Sequence, residues 1–283
     1  MKIYPVLPIL ERGSNMNKKI KSVLLCLWFL FVTSAYTESV YAQSAELTGR
    51  DIMIRVHDRP DGDDQKGIMQ MTLINRRGKK RERIVLLLSK DYGKDSKSIM
   101  FFQSPADVKG TGFLQYEYDD PSRKDDRWLY LPALKKVRRI TGSSKSEYFM
   151  GTDFTYDDMG ERSVAEDNHK LLREEEKNGQ KCWIIESIPK DKNYMYSKVV
   201  KWVRKDALIP VRVEFYDPQG NLLKVLTVID IKKQDGFWTA FKMEMDNIQE
   251  KHKTILEIKE LHYDIGLKDN LFRVSTLERG KIK

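Results

Sequence analysis

From Gly67 onward, polar and apolar residues alternate with a period of two over most of the chain. Met69, Met71 and Leu73 interleave with Gln70, Thr72 and Ile74, and Arg83 to Leu88 returns after the turn Asn75-Arg76-Arg77-Gly78. Such alternation predicts strands with one buried and one solvated face. Ser98 to Phe102, Lys109 to Tyr118 and Arg127 to Leu131 read as further strands. Lys170 to Glu176 and Lys181 to Ile188 flank Asn178-Gly179, a hairpin signal because both turn residues tolerate positive φ. Lys198 to Arg204, Ile209 to Phe215, Leu222 to Ile231, Phe237 to Asp246 and His252 to Asp264 complete the series. Short turns between consecutive strands predict an antiparallel meander. One helix is expected, from about Glu46 to His57, stopped by Arg59-Pro60-Asp61-Gly62. The span from about Pro132 to Glu166 reads as irregular. Together with the helix it is expected to cover the dry face of the sheet.

The start of the chain has a different pattern. Ten apolar residues, Val23 to Val32, follow Lys18, Lys19 and Lys21, and Val40-Tyr41-Ala42 follows them. This is the layout of a secretory signal peptide, with cleavage expected between Ala42 and Gln43. The run is about half of the roughly 20 residues a membrane-spanning helix needs. Met16 begins a better signal peptide than Met1, so the true start is expected there. Removing 42 of the 283 residues leaves 241, read as a single domain from residue 43 to 283. Five of the 51 basic and two of the 42 acidic residues leave with the signal, so the remainder carries +6. That charge is mild and interleaved with acids. With no basic stripe bearing stacking aromatics, and with export, it excludes nucleic acid as a partner. The chain is expected to be exported.

Chemistry of the catalytic kind is hard to find. Of the two cysteines, Cys26 falls in the signal segment, without the small residues that precede a lipidated cysteine. Cys182, in the run Cys182-Trp183-Ile184-Ile185, reads as a buried core thiol. His57, His169, His252 and His262 lie on separate elements without metal-ligand spacing. There is no Gly-x-Ser-x-Gly elbow, no phosphate-binding loop and no calcium loop around Asp58 to Asp64. No cofactor, no metal and no enzyme activity are therefore expected.

The apolar strand faces are more suggestive. Met69, Met71, Leu73, Ile209, Val211, Val213, Phe215, Phe241, Met243 and Met245 fall at the positions expected to point inward. Methionine adapts its shape, which suits a wall that repacks around a flexible apolar guest. An ordinary core is the competing reading.

Three segments carry a resemblance: IMFFQSPADVKGTGFLQYEYDD at 99–120, DDRWLYLPALKKVRRI at 125–140 and EYFMGTDFTYDDMGER at 147–162. They resemble the outer-membrane lipoprotein-sorting proteins of the LolA-like superfamily, in the branch with W-L-Y-L-P-A-L and F-M-G-[ST]-D-F motifs. The resemblance implies a mainly β fold, an incomplete, strongly curved antiparallel β-barrel with covering helices. It also implies a periplasmic carrier that shelters acyl chains of lipoproteins or lipids and passes them towards the outer membrane. The alternative it implies is an accessory or adaptor of an RND or MMPL-type exporter. An inner-membrane transporter of that type and an outer-membrane acceptor are the implied partners. Between the motifs, Lys135, Lys136, Arg138 and Arg139 are expected to pair with Asp153, Asp157 and Asp158, pinning residues 143 to 160 across the barrel mouth.

Overall fold

The computed structural model describes residues 47–177, 179–280 and 282. The signal segment, its cleavage site, Met16 and Cys26 lie outside the described residues, as does Asn178 of the expected hairpin turn.

Helix α1, Gly49–His57, precedes thirteen strands. These are β1 (Asp64–Ile74), β2 (Lys80–Tyr92), β3 (Asp95–Ser104), β4 (Gly112–Glu117), β5 (Asp126–Leu131) and β6 (Lys136–Ile140). After a long crossover come β7 (Asp167–Lys177), β8 (Gln180–Pro189), β9 (Lys198–Arg204), β10 (Ile209–Tyr216), β11 (Leu222–Gln234), β12 (Phe237–Asn247) and β13 (His252–Tyr263). A short helix α2, Val274–Glu278, follows. All thirteen strands form one sheet in the order β6-β5-β4-β3-β2-β1-β13-β12-β11-β10-β9-β8-β7. Two meanders are thus joined by β1 and β13, which run antiparallel from Gln65↔Tyr263 to Ile74↔Lys253. Strands β6 and β7 are edges, so the sheet does not close into a barrel. Register shifts in six strand pairs, from Ile68/Met69 in β1 to Leu171/Arg173 in β7, let the sheet bend.

Strand β6 belongs to the stretch expected to be irregular. Its sequence, KVRRI, has three cations and only two apolar residues, Val137 and Ile140, on opposite faces, a composition suited to a charged edge. Helix α1 starts at Gly49 rather than near Glu46 because Thr48 caps it, with Asp51 closing a reciprocal capping box.

The expectation of one dry and one wet face holds only for part of the sheet. The inner face carries the main core, including Met69, Met71, Leu73, Phe102, Phe113, Leu129 and Met245. On the opposite face of β2–β5, Leu88, Ile99, Phe101 and Leu114 are buried by Leu267, Phe272 and Leu277 of the C-terminal segment. This explains the unbroken apolar run Ile99-Met100-Phe101-Phe102, since a strand covered on both sides need not alternate. It also sorts the W-L-Y-L strand: Leu129 faces inward, and Trp128 and Tyr130 pack beneath the C-terminal segment.

Helix α1 sits on the other wing, where Ile52 and Met53 pack against Trp183, Ile185 and Val203. A Cβ built on Gly49 would lie 2.6 Å from the Leu171 backbone nitrogen and 2.7 Å from the Lys170 carbonyl carbon. Backbone cannot yield as a side chain can. Gly49→Ala is therefore expected to destabilise by about 1–3 kcal/mol as overpacking, read as a lower urea midpoint. Without that close approach the same change inside a helix would stabilise by about 1 kcal/mol, so the sign of the shift decides.

Candidate functional site: a strapped apolar face beside a polar cavity

The inner face of a half-open sheet needs a cover, and the crossover from β6 to β7 provides it. Residues 141–166 cross as a strap with single 3-10 turns rather than regular helices. Phe149, Phe154 and Tyr156 project from it into the main core, with Met150 and Met159 alongside. Phe113 on β4 receives Phe149 at 5.2 Å and Tyr156 at 5.7 Å between ring centroids, and Phe149 meets Tyr156 edge-on at 5.5 Å. The F-M-G part of the third motif has a backbone reason. Met150 (φ 49°) and Gly151 (φ 73°) make two successive left-handed residues, which turn Phe149 inward, and only the glycine adopts that conformation freely.

The strap is pinned by polar groups driven into the core. Lys224, fully buried on β11, donates from Nζ to Asp158 Oδ2 at 2.6 Å and to the Asp153 carbonyl at 2.8 Å. The Tyr196 hydroxyl donates to Asp158 Oδ1 at 2.9 Å. Asp153 Oδ2 accepts from Thr254 Oγ1 at 2.7 Å and lies 2.7 Å from His252 Nδ1, while Thr254 Oγ1 accepts from the Asp153 N–H at 2.9 Å. Asp157 accepts from the Tyr194 hydroxyl at 2.7 Å and faces buried Arg127 at 3.3 Å. Arg83 Nη1 donates to the Met150 carbonyl at 2.7 Å. Burial, reinforced by the adjoining aspartates, pushes the Tyr194 and Tyr196 phenols upward, so both remain neutral donors.

The larger hollow, about 1120 Å³, is not apolar. Eleven carboxylates and seven Lys or Arg line it, against two methionines, Met159 and Met195. Burial pushes Glu117 up to about 7, and burial beside Asp61 and Glu161 pushes Asp91 up to about 6. His57 is raised by its hydrogen bond to Glu161. A smaller hollow of about 530 Å³ lies at the other end of the strap, between Arg76, Arg77, Tyr148, Asp153, Glu250 and His252. Among the described residues no cluster of His, Cys, Asp and Glu is arranged to hold a metal ion, and no helix is long and apolar enough to cross a membrane.

A family model described as "Uncharacterized protein" matches residues 94–279. A DUF1329 family protein from Desulfovibrio piger is 38% identical, with 81% of this chain and 97% of that one covered and a TM-score of 0.78. The chain belongs to the DUF1329 family. A domain from Vibrio parahaemolyticus, assigned provisionally to outer membrane lipoprotein sorting, is also 38% identical, with 82% and 98% covered and a TM-score of 0.77. A LolA superfamily protein from Nitrosomonas europaea, 20% identical with 80% and 97% covered, shares the fold at a TM-score of 0.63. No curated protein matches the sequence.

Within this DUF1329 chain, the residues expected to line an apolar cavity divide into three groups. Met69, Met71, Leu73 and Met245 are buried in the main core, with Met243 and Phe215 packed against it. Val213 joins Tyr196 and Val199 beside that core, and Phe241 is buried further along β12. Ile209 and Val211 lie apart from both groups. The register shift between Pro210 and Arg212 reverses the alternation. It sets Val211 against Cys182, Ile184, Val200 and Trp202 on the opposite face, with Ile209 opposite Arg204. Cys182 itself is buried and free.

The expected pinning partners also change. Arg138 pairs with Glu147 and Arg139 with Asp126, and both arginines are exposed. Lys135 and Lys136 make no ion pair among the described residues. The aspartates of the third motif turn instead to Lys224, Arg127, His252 and two tyrosines.

The pins and the buried carboxylates give two expectations. Lys224→Met leaves Asp158 buried without its cation and is expected to cost about 3–5 kcal/mol, measured as a loss of unfolding free energy in urea. Glu117 has the opposite signature. Its folded pKa, about 7, exceeds the ordinary value of 4.5. Its contribution is therefore fully present below about pH 4.5 and is lost as pH rises through about 7. The melting temperature should fall over that window, and Glu117→Gln should flatten the fall.

Proposed function

We propose that this protein is a non-enzymatic periplasmic carrier that shelters acyl chains of lipoproteins or lipids against the inner face of its sheet. The observation that carries the reading is the continuous apolar face formed by β1, β2, β3, β4, β5, β12 and β13, rich in methionine. The strap covers this face and is a separate element, not another strand. The lipoprotein-sorting relative and the LolA-like fold support it.

In this reading the strap aromatics hold the place of the guest. Phe149, Phe154 and Tyr156 fill the space an acyl chain would take, so uptake requires residues 148–159 to lift. The guest offsets the loss of those contacts by about 0.8 kcal/mol per buried methylene. Transfer needs no energy input from the protein, because the chain leaves when an acceptor binds it more tightly. The polar cavity is unsuited to the apolar part of a guest and remains on the solvated side of the strap.

One observation favours a second reading. The apolar face is already filled by the protein's own side chains, as an adaptor of an RND or MMPL-type exporter would require. Native mass spectrometry with lipid extraction separates the two. The carrier reading expects a co-purifying lipid or acylated protein and saturable uptake of a fluorescent fatty-acyl probe. Met243→Asp should abolish uptake while far-ultraviolet circular dichroism stays unchanged. An empty protein that takes up no probe supports the adaptor.

A further inference from the structure

The turns at the two ends of the sheet differ in charge. Strand order sets the β1–β2, β3–β4, β5–β6 and β12–β13 turns side by side along one end. The first exposes Arg76, Arg77, Lys79, Lys80 and Arg81 in a stretch exposed from Asn75 to Glu82. Its neighbours add Lys109, the pair Lys135 and Lys136, and Lys251, all exposed. None of these nine cations has an ion-pair partner within 4 Å among the described residues, and only Glu82, Asp107 and Glu250 oppose them on the four turns. At the other end more of the cations are answered, Lys90 by Asp269, Lys94 by Asp119, Arg139 by Asp126 and Arg204 by Asp206, while Lys181, Lys233 and Lys268 have no ion-pair partner among the described residues.

Two aliphatic side chains stand among the unanswered cations. Leu134, 62% exposed, tips the β5–β6 turn, and Ile248, 45% exposed, begins the β12–β13 turn. An isolated leucine on a surface needs no explanation. Exposed aliphatics at the tips of turns, ringed by unpaired lysines and arginines, are the composition of a surface that rests in a lipid interface.

We propose that this end of the sheet docks on an anionic lipid bilayer, with the cations over the head groups and Leu134 and Ile248 dipping among them. An acidic protein would satisfy the charge but would leave the two aliphatic tips without a role. The proposal goes beyond the carrier reading, since it concerns the outer surface and holds whatever the interior shelters. It also adds a direction. The smaller hollow between Arg76, Arg77, Tyr148 and His252 opens at the same end, which puts the strap's Tyr148–Asp153 portion beside the bilayer.

The test is flotation of the purified protein with vesicles of phosphatidylcholine alone or with about 30 mol % phosphatidylglycerol, a composition giving a strongly negative surface. Binding is expected only to the anionic vesicles and should weaken as salt is raised. The triple variant Arg76→Glu, Arg77→Glu, Lys79→Glu should lower partitioning by at least about fivefold per cation removed, the equivalent of about 1 kcal/mol each. Reversing Lys181, Lys233 and Lys268 at the other end should leave it unchanged. Leu134→Ser with Ile248→Ser should lower vesicle binding but not binding to soluble polyglutamate. No binding to anionic vesicles at low salt, or equal losses from the two triple variants, overturns the proposal. Vesicle binding insensitive to the two serine substitutions overturns it in favour of an acidic protein partner.

Discussion

The buried ion pair between Lys224 and Asp158 is the constraint on which the interior depends. A fully buried ammonium is costly to desolvate, and a low-dielectric interior returns that cost only where the geometry is complete. Here it is: a carboxylate, a backbone carbonyl and a tyrosine hydroxyl on that carboxylate account for the local polar groups. Hydrophobic residues in place of both Lys224 and Asp158 would hold the strap as firmly but give it no address. The charge pair fixes which strap residue meets which strand, and hence how deep Phe149, Phe154 and Tyr156 sit. The same pair makes the cover conditional. Apolar contacts slide, whereas a displaced Asp158 leaves an ammonium unanswered in the core, so states between closed and open are penalised.

The polar cavity and the apolar face are two sides of one strap. On the cavity side burial, with the Glu161 charge adding to it, pushes Glu117 up to about 7 and Asp91 up to about 6. On the core side the same strap presents rings. Aspartates at adjacent positions, Asp157 and Asp158, separate the two environments: one answers Arg127 at the cavity wall, the next answers Lys224 within the core. A one-residue slip of the strap would set Tyr156 against Arg127 or Met159 against Lys224, leaving one cation unpaired. Register in this irregular segment is therefore specified by charge, as it is in strands by hydrophobic alternation.

Most of the sheet was legible in the sequence because half-buried strands write their burial as alternation and their turns as Asn-Gly, Asp-Gly or Pro-x-Gly. What escaped had specific causes. Strand β6 is a cationic edge with too few apolar positions to register. The double burial of β2–β5 depends on the C-terminal segment returning across the sheet, which no local pattern encodes. Val211 and Ile209 fall on the other face because the strand bulges after Pro210, a residue that sheets tolerate only at edges, strand starts and bulges. The candidate site was half legible. The motif aspartates stood out, but their partners did not: Lys224 lies in an ordinary-looking strand, 66 residues from Asp158, and Arg127 looked like one cation among several. Nearness in sequence favoured Arg138 and Arg139, and the fold turned these outward.

The pairing of β1 with β13 has a consequence for how the molecule is made. The two strands are the first and last of the sheet along the chain, and they meet at its centre. The left and right wings each form from hairpins that need only local contacts, yet the seam between them closes only when nearly the whole chain is present. Such long-range pairing carries a large loop-closure cost and slows the last step of folding. Until it closes, each half exposes an unpaired central edge and an apolar face. A chain interrupted between Asp167 and His252 thus has one complete wing and one partial wing without a seam, and any factor that holds the chain during synthesis must persist until its last strand arrives.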